Sequence, residues 1–180
     1  MSRRLLAVFA ATAIAAAFAA DRVLARLRGP RPPEPLRTLV VVDAPIAATW
    51  RVLADIGLQP QWMHEMKEVR LTTPGPTRVG TRGEATVRIF GIAVTDPVEV
   101  VAFDAPTRFA IRHEGLFTGG GVITLEPGAD GTTTIVRWAE TLVPPLLPEV
   151  GALAMAPVLR DIFQADLHRL ARLVESGSED

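Results

Sequence analysis

The chain has 180 residues, of which 48% are hydrophobic, 19 are basic and 20 are acidic, so it is long and apolar enough for one domain with a sizeable core. The near balance of charge gives no broad basic footprint, and we therefore expect no nucleic-acid partner. Cys is absent, which excludes disulfides and thiolate chemistry, and Tyr is absent, which excludes a phenolic acid or base.

The chain begins with a basic pair followed by a long apolar run. Arg3 and Arg4 precede residues 5–20, which as a helix would be about 24 Å long against a hydrocarbon core of roughly 30 Å. We predict that residues 1–28 form a single helix that anchors the chain in a membrane. There are two alternatives: a signal peptide cleaved at the small-x-small motif of residues 17–19, which would leave a secreted protein, and a soluble helix.

The basic residues on the two sides of this run determine its expected orientation. Two arginines precede the run, and four follow it: Arg22, Arg26, Arg28 and Arg31. By the positive-inside rule, this slightly favours a domain on the cytoplasmic side. Residues 29–36 are rich in proline, which favours an extended backbone, so we predict a linker that holds the domain away from the bilayer.

A short strand and a proline turn open the domain. Residues 38–42 are mostly aliphatic or β-branched, which is typical of a strand, and the run stops at Asp43. Pro45 is well placed in the first turn of a helix because it lacks an N–H donor. We therefore predict a helix whose N-cap lies at Asp43 or Ala44.

Two short helical elements follow this turn. An apolar stripe of Ile46, Trp50 and Leu53 predicts the first helix, and Gly57 has the position at which helices commonly end. Residues 58–63 predict a second short element, which contains Trp62.

Alternating polar and apolar residues from Val69 onward predict about six strands in meander order. The predicted runs are residues 69–71, 79–90, 92–103, 108–114, 122–126 and 132–143. In the second run, the small residues Gly83 and Ala85 would share the inward face with Val87 and Ile89. Small residues leave space on that face, which suits a cavity as well as a tight bend.

Residues 119–121 are three consecutive glycines. They lack the strand-before-helix context that phosphate binding requires, and no P-loop, GxGxxG or GxSxG motif is present in the sequence. We interpret the three glycines as a flexible rim of a cavity, with a plain turn as the alternative.

An apolar stripe at helical spacing predicts a long final helix over residues 149–174. Its members are Ala156, Leu159, Phe163, Leu167, Leu170 and Val174. Pro157 predicts either a kink or a helix that starts only near Ala156. We expect residues 176–180 to form a disordered tail.

This order of one strand, two short helices, about six strands and a long helix resembles the SRPBCC, or START-like, superfamily, which includes polyketide cyclase/dehydrase and lipid-transport proteins. The resemblance covers roughly residues 36–174, and Trp62 carries most of it. It implies an α+β helix-grip fold over residues 37–175, in which a curved antiparallel sheet of six to seven strands wraps around the C-terminal helix. Members of the family commonly keep a cavity between sheet and helix, so the expected partner is a hydrophobic small molecule such as a lipid.

The resemblance predicts a ligand site on the concave face of the sheet and the underside of the last helix. Its residues would be Trp62, Met63, Met66, Val87, Ile89, Phe109, Ile111, His113, Phe117, Val136, Trp138, Leu159 and Phe163. Met and aromatic side chains suit an adaptable apolar site. Any globular domain has a similar set of apolar residues, so the prediction of a cavity depends on the family.

The imidazoles are His64, His113 and His168, and none has a partner at the spacing of helix-borne metal sites, so we predict no metal site and no cofactor. His64 and His168 are interpreted as surface residues, with a base near the cavity mouth as the alternative for His64. His113 would point toward the cavity, and a satisfied core histidine is the alternative. An inward-facing Glu140 would be a buried carboxylate that needs an Arg or His partner.

These observations lead to three hypotheses for function. The first is a membrane-tethered, non-catalytic domain that binds or carries a hydrophobic small molecule. The second is an enzyme that resembles polyketide cyclases or dehydratases, with His113 as base and Arg112, Glu140 or His64 assisting. The third is a protein-interaction domain whose groove is filled by its own side chains. Cavity volume separates the first hypothesis from the third, and convergent polar groups separate the second from the first.

Overall fold

A computed structural model of the chain describes residues 3–89 and 91–177, and the side chains of these residues other than 3, 4 and 89. The helices are α1 Arg3–Arg28, α2 Ile46–Leu53, α3 Gln59–Trp62 and α4 Pro148–Ser176, with a 3₁₀ turn at Ile56–Leu58. The strands are β1 Leu36–Val42, β2 Met66–Leu71, β3 Arg82–Ile89, β4 Ile92–Asp104, β5 Arg108–Glu114, β6 Thr118–Pro127 and β7 Thr134–Val143. Residues 178–180 of the predicted tail lie outside the described residues.

The strands form one seven-stranded antiparallel sheet in the order β1-β7-β6-β5-β4-β3-β2. Strands β2 to β7 are sequential neighbours, and β1 pairs with β7 at the other end of the meander. Helix α4 contacts β1 and β7 and also packs on α2 and α3. The predicted helix-grip order is therefore confirmed, with seven strands.

The short helices differ from the sequence prediction at their ends. The N-cap of α2 is Pro45, later than predicted, and no side chain caps it. The helix ends at Leu53 instead of continuing to Gly57. Asp55 Oδ1 accepts a hydrogen bond from Gly57 N at 2.9 Å and so begins the 3₁₀ turn. A local carboxylate competes with the helix for backbone N–H groups, which explains the early end of α2.

Strand β6 and helix α4 both begin earlier than predicted. The three glycines at 119–121 lie inside β6, paired with β5 on one side and β7 on the other, so they form neither a rim nor a turn. Helix α4 begins at Pro148 and continues through Pro157, so the late start near Ala156 is wrong. Pro148 is favourable at the first helical turn, where its missing N–H would have no intrahelical partner.

The C-terminal part of α4 covers one half of the sheet. Its buried residues follow the predicted stripe and include Leu159, Phe163, Leu167, Leu170 and Val174. The ring centroid of Trp138 on β7 lies 4.7 Å from that of Phe163 and 6.1 Å from that of Trp62. Full burial of each such side chain contributes about 1.5–3 kcal/mol, so this aromatic group is a main source of stability.

The end of α1 is joined to the start of α4. Asp21 Oδ1 accepts hydrogen bonds from Glu149 N at 2.8 Å and from Val150 N at 2.9 Å. A side chain of α1 thus caps α4, whose own N-cap residue Leu147 makes no side-chain cap hydrogen bond. Arg28 also pairs with Glu149 at 2.6 Å. The proline-rich segment after α1 therefore does not keep the domain apart from α1.

Helix α1 meets the length and hydropathy criteria for a membrane span. The span covers residues 5–28, and only 6% of its most apolar window is buried against the rest of the protein. A signal sequence meets the same criteria, so this finding is weak support for an anchor and leaves its orientation open.

Candidate ligand-binding site

The concave face of the sheet has a filled half and an open half. In the filled half, under the C-terminal part of α4, inward residues such as Val136 and Trp138 are buried. In the open half, over parts of β3, β4 and β5, six inward residues are only half-buried: Val87, Val94, Asp96, Val98, Ile111 and His113. The register places them on one face, since Val98 pairs with His113 and Val87 pairs with Val94. The open half is therefore a partly exposed and mostly apolar surface, with Asp96 between Val94 and Val98.

His113 and Glu140 form a polar pair at the border of the open half. His113 Nε2 lies 2.9 Å from Glu140 Oε1, and Trp138 Nε1 donates to Glu140 Oε2 at 2.8 Å. The side chain of Glu140 is 3% exposed and that of His113 is 18% exposed. These hydrogen bonds offset the free energy that burial of the carboxylate costs. The prediction that an inward Glu140 needs an Arg or His partner is confirmed.

Glycines of β6 make room for this pair. Strand β6 lies between β5 and β7, so the side chain of His113 must pass over it to reach Glu140. A Cβ at Gly121 would overlap Glu140 Oε2 and would lie 3.1 Å from Trp138 Nε1. Gly119, which pairs with His113, has a φ of +123°, a conformation that favours glycine. Gly121 therefore lies directly beneath Glu140, and Gly119 lies beside His113 in the register of the sheet.

Asp96 fixes the hairpin between β5 and β6. Its Oδ1 accepts a hydrogen bond from Leu116 N at 2.8 Å, and its Oδ2 accepts one from Phe117 N at 3.2 Å. Gly115 permits this approach, since a Cβ there would overlap the Asp96 side chain. The sequence analysis missed Asp96, although a carboxylate among the alternating apolar residues of β4 was an available signal.

The predicted ligand-binding residues divide between the two halves. Those buried in the domain are Trp62, Met66, Phe109, Val136, Trp138, Leu159 and Phe163. Those that are half-buried are Met63, Val87, Ile111, His113 and Phe117. The side chain of Ile89 lies outside the described part of the structure. The first group packs as core, and within the second group Val87, Ile111 and His113 line the open half.

Two surface clefts lie away from the polar pair. A cleft of about 300 Å³ is lined by His64, Glu65, Val158, Asp161, Ile162, Ala165 and Arg169. A second cleft of about 450 Å³ is lined by residues of β1, β6 and β7 together with Gln164 of α4. Neither cleft includes His113 or Glu140. The space under the C-terminal part of α4, where the resemblance predicted a cavity, is occupied by the aromatic side chains of the filled half.

His64 and His168 are both exposed. Beside His64, the buried Asp166 accepts hydrogen bonds from His64 N at 3.0 Å and from Arg169 Nη1 at 2.6 Å. Burial raises the pKa of Asp166, and these two donors only partly oppose that shift. His168 Nε2 lies 3.2 Å from Gln164 Nε2. This region joins α3 to α4 and is separate from the open half.

The polar pair can orient a ligand or move a proton. Because His113 Nε2 faces Glu140, Nδ1 is the ring atom left for a ligand. Arg112 is on the opposite face of β5, where it pairs with Glu99 at 2.7 Å and Glu114 at 2.9 Å, so it does not converge with His113. Among the described residues, no three His, Asp or Glu side chains are grouped so that they could hold a metal ion.

The comparison with known families matches this architecture. The model of a family described as polyketide cyclase/dehydrase and lipid transport matches residues 36–175. The chain belongs to this family. The resemblance to SRPBCC proteins is thereby confirmed, and the description of the family indicates a fold that binds hydrophobic ligands. The match begins with β1 and ends one residue before the end of α4, so α1 lies outside the family domain.

Solved structures of bacterial proteins share the fold of the family domain. A protein from Thermus thermophilus is 18% identical with a TM-score of 0.65, and the match covers 80% of this chain and 99% of that one. A protein from Deinococcus radiodurans is 22% identical with a TM-score of 0.58, covering 79% and 98%. A protein from Thermobifida fusca is 20% identical with a TM-score of 0.62, covering 78% and 92%. No curated protein matches the chain.

Proposed function

We propose that this member of the polyketide cyclase/dehydrase and lipid transport family is a membrane-tethered domain that binds or carries a hydrophobic small molecule on the open half of its sheet. The observation that carries this proposal is the half-buried apolar face of Val87, Val94, Val98 and Ile111 beside His113. The carboxylate of Asp96 lies on the same face, where it is bonded to the β5–β6 hairpin. An apolar surface with a few placed polar groups is typical of sites for lipid-like ligands.

The polar pair indicates the chemistry of the ligand. Glu140 holds the imidazole of His113 by its Nε2, which orients Nδ1 for one hydrogen bond with a hydroxyl or carbonyl group. The neighbouring valines and Ile111 would cover an aliphatic or aromatic body. The proposed ligand is therefore an apolar molecule with a single polar head, bound with its head at His113.

The test is native mass spectrometry of the full chain, purified in detergent from a lipid-containing host. We expect a co-purifying adduct that dissociates on collisional activation. Val98→Trp would fill the open half and remove the adduct, whereas Val41→Trp, on the exposed face of β1, would retain it. A clean apo mass for the parent chain, or an adduct that survives Val98→Trp, contradicts the proposed site.

A second candidate function is a cyclase or dehydratase reaction with His113 as general base. The observation in its favour is the 2.9 Å contact of the imidazole with a buried carboxylate, an arrangement that orients and stabilises a histidine that accepts a proton. Incubation of the released adduct with fresh protein distinguishes the two functions. Loss of one water, or a new isomer of the same mass resolved by chromatography, supports the enzyme if it is abolished in Glu140→Gln. Recovery of the unchanged molecule supports binding alone.

A further inference from the structure

The hydrogen bonds of Asp21 with Glu149 and Val150 form a joint between α1 and α4, and this joint lies among exposed apolar side chains. Leu146, just before α4, is 72% exposed, and Leu153, one turn after Glu149, is 65% exposed. On the other side of the joint, Val23 and Leu27 of α1 are also exposed. All four lie within six residues of the joint, a distance of about 9 Å of helical rise. They are termed the junction patch.

The length of the apolar run indicates what covers the junction patch. A hydrocarbon core of roughly 30 Å needs about 20 helical residues, whereas the uninterrupted apolar run ends at Ala20 after 16 residues, about 24 Å. Twenty helical residues counted from Leu5, the first residue of the candidate span, would therefore end at about Leu24 and place Asp21 about one turn inside the boundary. The start of α4 bonds to Asp21, so it must lie at the same depth.

The contacts of Asp21 are suited to that position. A carboxylate near hydrocarbon is costly unless it is bonded, and Asp21 is 8% exposed with two backbone donors from the positive end of the α4 dipole. Arg26 and Arg31 follow Leu24 and suit the anionic head groups beyond the boundary. Arg22 lies inside the boundary, and its long side chain can extend to the same head groups. Apolar side chains beside the joint would then face acyl chains, and basic ones would face head groups.

We propose that the junction patch docks on the bilayer and that Asp21, by capping α4, positions the domain against the membrane surface. This inference rests on the membrane tethering in the proposed function. It adds that the domain has a fixed orientation, with the start of α4 at the bilayer. The partner of the patch is the acyl and head-group boundary of the lipid.

The natural absence of Cys permits a direct test with single nitroxide labels on the full chain. Labels at Leu146→Cys and Leu153→Cys, in vesicles of phosphatidylcholine and phosphatidylglycerol, are compared for collision with oxygen and with a water-soluble nickel chelate. We expect an oxygen-to-nickel ratio severalfold above that of the control Val41→Cys. Val41 is exposed near the far end of α4, where Asp43 N bonds Glu175, about 40 Å along the helix from Glu149.

A label at Phe9→Cys tests the tether separately from the patch. One outcome separates the two. If the Phe9 label lies in hydrocarbon while the Leu146 and Leu153 labels are as accessible to nickel as the Val41 label, the docking of the patch is overturned and the tether stands. If the Phe9 label is instead in water, the tether itself is overturned, and with it the membrane part of the proposed function. Val98→Trp in the native mass experiment tests ligand binding independently of both outcomes.

The role of Asp21 is tested in the Leu153→Cys protein. Asp21→Ala is expected to move the Leu153 label toward water while the Phe9 label keeps its depth. Asp21→Asn retains a carbonyl acceptor for the two N–H groups of α4 and is expected to restore most of the depth of the label. An unchanged depth of the Leu153 label in Asp21→Ala overturns the positioning role of Asp21.

Discussion

His113 on β5 and Glu140 on β7 are hydrogen-bonded across an intervening strand, with 2.9 Å between Nε2 and Oε1. Two side chains on next-nearest strands meet only if the strand between them leaves the space free. In β6 that space is provided by Gly121, where a Cβ would overlap Glu140 Oε2. The polar pair and Gly121 are thus one structural unit.

Gly121→Ala is expected to break this unit. The new Cβ would overlap Glu140 Oε2, so either the carboxylate leaves its partners or β6 shifts. We expect a loss of about 1–3 kcal/mol in the free energy of unfolding, measured by urea denaturation. The matched control is Gly177→Ala, where the added Cβ meets only ordinary contacts of 3.7 and 3.8 Å, and where little change is expected. Equal stability of the two variants would contradict the proposed role of Gly121.

Trp138→Phe is expected to destabilise the domain more than Trp62→Phe. Trp138 Nε1 donates to the buried Glu140, so its loss leaves one carboxylate oxygen without a donor, at a cost of about 1–3 kcal/mol beyond lost packing. Trp62 Nε1 is buried without a hydrogen-bond partner among the described residues, so its removal carries no such cost. Thermal unfolding of both variants measures the difference, and a larger loss for Trp62→Phe would reject this assignment.

Asp166 predicts a pH dependence of stability. Its folded pKa is raised above the ordinary value of 3.8, mainly by burial, so the folded state binds this proton more tightly than the unfolded state does. The resulting stabilisation is present below pH 3.8 and is lost as pH rises through the raised folded pKa. Asp166→Asn should remove this decline, so that the urea midpoint changes less as pH rises above 3.8.

The matched control for this titration is Asp161→Asn. Asp161 is an exposed carboxylate on the same helix, and its replacement leaves the contacts of Asp166 with His64 and Arg169 in place. The decline should therefore persist in this control. A decline that is the same in both variants would assign the pH dependence to other groups.

Asp96→Ala is expected to loosen the β5–β6 hairpin without unfolding the sheet. The amides of Leu116 and Phe117 lose their acceptors, so their hydrogen exchange should accelerate severalfold. The reciprocal control is Asp130→Ala in the β6–β7 hairpin, which should accelerate exchange at Thr132 and leave Leu116 and Phe117 unchanged, because Thr132 N donates to Asp130 Oδ1. Protection that is unchanged at Leu116 would show that Asp96 does not hold the hairpin.

Much of the fold was predictable because its signals are local. Alternation predicted the strands, the stripe from Leu159 to Val174 predicted α4, and the order of elements predicted the family. The errors also have local causes. Asp55 ended α2 early by accepting a hydrogen bond from Gly57 N, and the glycines of β6 resembled a turn because glycine is common in turns.

By itself, the sequence determined the order of elements, the inward face of strands such as β3 and β5, and the need of an inward Glu140 for a partner. These features follow from the spacing of apolar residues and from the cost of burying a charge, which depend on residue type and spacing. Only the tertiary structure decided that His113 is that partner, that aromatic rings fill the space under α4, and that Asp21 caps α4 from 128 residues away. These relationships join residues distant in the chain. They depend on strand register and on the space that side chains such as Trp138 occupy, and neither can be read from local pattern.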